Sequence, residues 1–118
     1  LYALLEQPRQ FGGAAALSTH WPGGFDPADD AFARAMRAYL RKRLPSLTAQ
    51  KIWMDHGTET LDARYPPLQR EVDAVFKASP LPPARWQSRE YPGTDHSEQA
   101  WAARLADPLR FLLAHDEE

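Results

Sequence analysis

Few residues in this chain could do chemistry, and they fall on three loops. Thr19 to Asp30 carries His20, Thr58 to Arg64 carries Glu59 and Asp62, and Pro92 to Ser97 carries Asp95 and His96. No cysteine is present, which excludes a disulfide framework and a thiolate metal site. Histidine and carboxylate together can move a proton. A neutral imidazole takes the proton of a hydroxyl nucleophile and returns it to the leaving group, while a carboxylate fixes the ring's tautomer and stabilises the cation that forms. An acid on one loop and a histidine on the next fits that division of labour, with His96 as base and Asp62 or Glu59 behind it.

These loops need elements to hold them. Leu1, Leu4 and Leu5 have helical spacing, and Pro8 should end that helix. Gly12 to Ser18 is short, small and apolar, and is expected to be a buried strand. A helix follows, capped by Asp29 or Asp30 and stopped by Pro45, with Phe32, Met36, Tyr39, Leu40 and Leu44 as its apolar face. Lys51 to Gly57 is the clearest strand. Tyr65-Pro66-Pro67 opens a helix with a buried stripe of Leu68, Val72, Val75 and Phe76. Arg85 to Tyr91 is a third strand, at a sheet edge. The run from Glu98 carries Trp101, Leu105, Leu109, Leu112 and Leu113, kinked or restarted at Pro108 with Asp107 as cap. The acidic residues Asp116 to Glu118 are expected to fray. Helix and strand alternate throughout, which predicts an α/β fold with about three parallel strands and right-handed crossovers. In such a sheet, ligands bind at the carboxyl ends of the strands, where the three loops lie.

Composition narrows the partners. The 118 residues suffice for one domain, and the net charge of −2 gives no footprint for nucleic acid. Lys and Arg are scattered apart from Arg41-Lys42-Arg43, a solvated helix end. No apolar run approaches the roughly 20 residues of a membrane span. The sequence begins at Leu1, not Met, so the lack of a visible signal peptide fixes no compartment.

Three stretches resemble the C-terminal part of the putative esterase family of α/β-hydrolases, which includes enterochelin esterases, S-formylglutathione hydrolases and feruloyl-esterase-like enzymes. Phe11 to Ser18 is similar to the strand after the nucleophile helix, and Lys51 to Asp62 to the acid-bearing strand and loop. Pro92 to Ser97, with Trp101 downstream, matches the histidine loop. The resemblance covers nearly the whole chain and implies that His96 is the general base. In several relatives the aspartate stands where this chain has Thr60, which leaves Asp62 as first choice for the acid and Glu59 as second. The family's nucleophile sits in a Gly-x-Ser-x-Gly elbow, and none of the five serines here has that pattern. The resemblance places it on the order of ten residues before Leu1, on the strand-to-helix turn, with the oxyanion donors also upstream. The expectation is therefore a C-terminal segment of one hydrolase domain, inactive alone, whose partners are a small-molecule ester and the N-terminal half. The edge of the Gly12–Ser18 strand would be open to homo-oligomerisation.

Other readings of these residues stand beside that one. His20 and Trp21 are expected to line a substrate pocket. Asp95 is expected to shape its loop through local backbone bonds, and Asp55 and His56 to end strand pairing. A zinc site from His20, His56, Asp62 and His96 is the rival use of the same ligands, but no pair has helical spacing, and neither metal nor cofactor is expected. A different class also competes: a non-catalytic binding or interaction module that keeps a hydrolase-like half-sheet.

Overall fold

A computed structural model describes residues 1–115, so the expectation for Asp116 to Glu118 lies outside the described residues. The elements run α1 (Tyr2–Glu6), β1 (Gly13–Ala16), α2 (Ala31–Arg43), β2 (Lys51–His56), α3 (Tyr65–Ala78), β3 (Trp86–Glu90), α4 (Glu98–Arg104) and α5 (Ala106–Leu113). The strands form one parallel sheet in the order β1-β2-β3. Ala14 lies opposite Ile52, and Ile52 opposite Trp86. This is the expected α/β alternation, with β2 central and β3 at an edge.

The two faces of β2 explain how the layers divide. Ile52 and Met54 join Leu4, Leu5, Leu40, Val72 and Phe76 in the main apolar cluster, so α1, α2 and α3 cover one face. Trp53 and Asp55 point the other way. Trp53 meets Phe111 of α5 at 5.9 Å between ring centroids, and Asp55 meets Arg104 of α4. Strand alternation thus sends apolar residues to one layer and an aromatic–ionic set to the other.

Several expectations need correction. The last helix is two helices, and the restart falls at Leu105, not Asp107. Asp107 caps nothing; its carboxylate accepts the Tyr91 hydroxyl at 2.6 Å and pairs with Arg89. Leu105, Leu109 and Leu113 are exposed at 45%, 45% and 73%, so the predicted leucine stripe is not the buried one. Arg104 and Pro108 are buried, with Trp101, Phe111 and Leu112 half-buried. The inward face is therefore offset by one position from the leucines. Arg104 sets that phase, because turning it outward would leave the Asp55 carboxylate buried without its cation. Phe32 is likewise exposed rather than core. The N-cap position of α2 is Asp30, whose side chain makes no capping bond and pairs instead with Arg34, while Asp29 Oδ1, one residue earlier, accepts the Ala31 N–H at 3.1 Å.

Candidate active site

The loop after β3 turns back at Pro92-Gly93, where Gly93 has φ 81 and the Thr94 N–H reaches the Tyr91 carbonyl at 3.3 Å. A Pro-Gly pair meets the φ demands of such a turn, Gly taking the positive value. The loop is then tied to the exit of β2. The Thr94 carbonyl accepts the N–H groups of Thr58 and Glu59 at 2.9 and 3.0 Å, and the Gly93 N–H donates to Thr58 Oγ1. Gly57 permits this approach, since a Cβ there would lie 2.2 Å from the Thr94 carbonyl oxygen. The His96 N–H donates to Thr60 Oγ1 at 2.9 Å, from a Thr60 whose own φ is 54.

Two residues beyond Thr60, in a 3-10 turn spanning Thr60–Arg64, stands Asp62. Its Oδ1 lies 2.8 Å from His96 Nδ1. The Asp62 side chain is fully buried, whereas that of His96 is 30% exposed. Asp62 Oδ2 accepts the Gly57 N–H at 2.6 Å and the Ser18 hydroxyl at 2.7 Å. A carboxylate that takes every one of these bonds as acceptor puts the proton of neutral His96 on Nδ1. The lone pair then sits on Nε2, which has no hydrogen-bond partner among the described residues. The imidazole is held edge-to-face between Trp101, at 5.1 Å, and Tyr65, at 6.1 Å.

Glu59 does not reach the histidine: it is exposed, and among the described residues its carboxylate meets only Thr58 Oγ1, at 3.5 Å. His20 is drawn toward the site through Tyr65. The Gly23 N–H donates to His20 Nε2, so Nδ1 carries the proton of the neutral ring and donates it to the Tyr65 oxygen at 2.9 Å. Loss of hydration, then the charges of Arg64 and His96, push the His20 pKa below its ordinary value. Tyr65 is buried, and its phenol is pushed up to about 12, first by burial and then by the Asp62 charge.

Trp21 is a correction. It is 1% exposed, belongs to the main core, and gives its indole N–H to Gln69 at 2.6 Å, so it lines no pocket. Asp55 and His56 end the strand pairing as expected: opposite Arg89 and Glu90, they form the last two pairs of the β2–β3 register. His56 donates Nδ1–H to the Gly57 carbonyl. Asp95 accepts the Ser97 hydroxyl, while Ser97 caps α4 by accepting the Ala100 N–H. Among the described residues, no group of three or more His, Asp or Glu could hold a metal ion, and no helix is long and apolar enough to cross a membrane.

Sequence reasoning missed Ser18, Tyr65 and Arg104 as neighbours of the pair. Ser18 ends a strand-like run, Tyr65 begins a helix, and Arg104 occupies an amphipathic helix where charge ordinarily faces water. Only the juxtaposition of α4 with the ends of β1 and β2 reveals them.

A sequence model of the family described as putative esterase matches residues 1–112. The chain belongs to the putative esterase family. Among curated proteins and solved structures, none matches it. The family match spans all three strands and both loops that carry Asp62 and His96, and the three-stranded parallel sheet agrees with a part of an esterase-family hydrolase.

Proposed function

We propose that this chain carries the acid–base half of a serine-type carboxylic-ester hydrolase, with His96 as general base and Asp62 as its orienting carboxylate. One observation carries the reading: a fully buried carboxylate 2.8 Å from Nδ1 of a histidine whose side chain is 30% exposed. In the proposed reaction His96 Nε2 takes the hydroxyl proton as that oxygen attacks the ester carbonyl, and Asp62 stabilises the imidazolium. Nε2 then gives the proton to the departing alkoxide, leaving an acyl-enzyme. Water is activated by the same nitrogen for the second half.

The nucleophile is proposed to come from a segment other than these 118 residues. No serine hydroxyl is hydrogen-bonded to His96 among the described residues, and Ser18, the nearest in the network, is bonded to Asp62 instead. In this reading the N-terminal half of the hydrolase supplies the serine and the oxyanion donors. Its sheet would continue along the edge of β1 that β2 leaves open. The substrate is a small-molecule ester of undetermined acyl and alcohol parts.

A second reading has its own support, since a Gly-x-Ser-x-Gly elbow is absent from the sequence: a binding or interaction module that retains the hydrolase half-sheet without catalysis. The test is hydrolysis of short p-nitrophenyl esters by the full-length parent, with His96→Ala and Asp62→Asn variants, alongside fluorophosphonate labelling. The first reading expects a labelled serine and a loss of at least about a thousandfold in kcat for His96→Ala. Full activity in that variant would end the triad assignment, and no hydrolysis and no label in the parent would favour the module.

A further inference from the structure

We propose that Ser18 is a positioning residue: its hydroxyl, fixed by Trp101 and Arg104, holds the Asp62 carboxylate in the orientation that meets His96. The role of Asp62 in catalysis rests on the ester-hydrolase reading above; the geometry of this chain of bonds does not.

The polarity of the network has a single solution. Ser18 Oγ lies 2.8 Å from Trp101 Nε1, 3.1 Å from an Arg104 terminal nitrogen and 2.7 Å from Asp62 Oδ2. An indole and a guanidinium can only donate. Both lone pairs of the hydroxyl are therefore occupied, and its one proton must go to Asp62. For the same reason Ser18 is no nucleophile: its proton is committed to a carboxylate oxygen, not to an imidazole nitrogen. The backbone is pinned as well, because the Ser18 N–H donates to Asp55 Oδ1 at 2.8 Å. Asp55 in turn accepts two bonds from Arg104, at 2.9 and 3.2 Å, and one from the Trp53 indole at 2.9 Å.

Backbone strain argues that the hydroxyl is needed for more than filling space. Ser18 has φ 50, a left-handed conformation that glycine would adopt without penalty. What the side chain adds in return is one hydroxyl, 4% exposed as a residue, with all three bonding positions used. Charge is consistent with this assignment. Arg104 pairs with the buried Asp55 carboxylate and is linked to the buried Asp62 through the Ser18 hydroxyl. Without Ser18, Asp62 Oδ2 keeps only the Gly57 N–H of the two donors that fix it, and the carboxylate is free to turn off His96.

The test uses Ser18→Gly, which removes the hydroxyl while relaxing φ 50, with Ser18→Ala as the strained counterpart. Nitrogen-15 shifts of the His96 ring, measured at neutral pH, should read the Nδ1–H tautomer in the unsubstituted chain. They should move toward the averaged values of an exchanging imidazole in both variants. In the full-length esterase, kcat per fluorophosphonate-titrated site should fall roughly tenfold to a hundredfold, the worth of one bond to a charged group, with KM unchanged. Counting titrated sites separates this from a loss of folded protein. Unchanged nitrogen shifts in Ser18→Gly overturn the proposal, as does an Nε2–H tautomer in the unsubstituted chain. The nitrogen shifts require no catalysis, so a parent without esterase activity would leave the positioning role standing and remove only its catalytic consequence.

Discussion

Arg104→Met should destabilise the chain by about 3–5 kcal/mol, the loss expected when one partner of a buried ion pair is removed. The magnitude follows from burial. The Arg104 side chain is 4% exposed and that of Asp55 fully buried, so neither solvent nor salt screens the pair. An exposed pair of the same chemistry contributes only about 0.2–1 kcal/mol. Methionine matches the packing of the arginine stem but leaves the Asp55 charge without its cation. The Ser18 N–H and the Trp53 indole remain as donors to Asp55, which places the effect within this range rather than above it. Against a total stability of about 5–15 kcal/mol, such a loss is a large fraction. Urea unfolding followed by tryptophan fluorescence measures it, and thermal unfolding should show a midpoint lower by roughly 10–20 °C. Asp55→Asn combined with Arg104→Met should recover part of the deficit, because the uncompensated charge is gone. A loss below about 1 kcal/mol for Arg104→Met would place the pair among surface interactions and refute the account of how α4 is oriented.

Three other outcomes follow from the same structure. Gly57→Ala should destabilise by about 1–3 kcal/mol or more and detach the histidine loop, since the new Cβ would meet the Thr94 carbonyl at 2.2 Å; urea unfolding and the amide shift of His96 report it. Tyr39, Tyr65 and Tyr91 are each pushed up to about 12, mainly by burial, with Glu6, Asp62 and Asp107 respectively adding to it. Folding raises these pKa values, so their contribution is intact below the ordinary value near 10 and is lost as pH rises through 12; phenolate absorbance should appear late, and stability should decline from about pH 10 upward. If β1 keeps an open edge, the isolated chain should self-associate as concentration rises, and Ala15→Lys should weaken that association in light scattering. A persistent monomer would count against edge pairing.

The sequence by itself determined the alternation of elements and the three loops at the strand ends. It did so because a bulky apolar run such as Ile52-Trp53-Met54 and a proline start such as Tyr65-Pro66-Pro67 act over a few residues. Asp62 and His96 could be singled out because both lie on loops that follow strands and their side-chain types suit proton transfer. The tertiary structure alone decided which carboxylate faces the histidine. Glu59 and Asp62 are three residues apart on one polar loop, and only the tie from Thr60 to the His96 backbone selects between them. It also decided the rotation of α4 and α5, where a leucine pattern pointed one way and a buried guanidinium fixed another. Trp21 was drawn into the core by Gln69, a partner 48 residues away. Local pattern reports preferences of neighbours along the chain. The partners of Ser18, Asp55 and Arg104 lie on separate elements, and their satisfaction is a property of the packed whole.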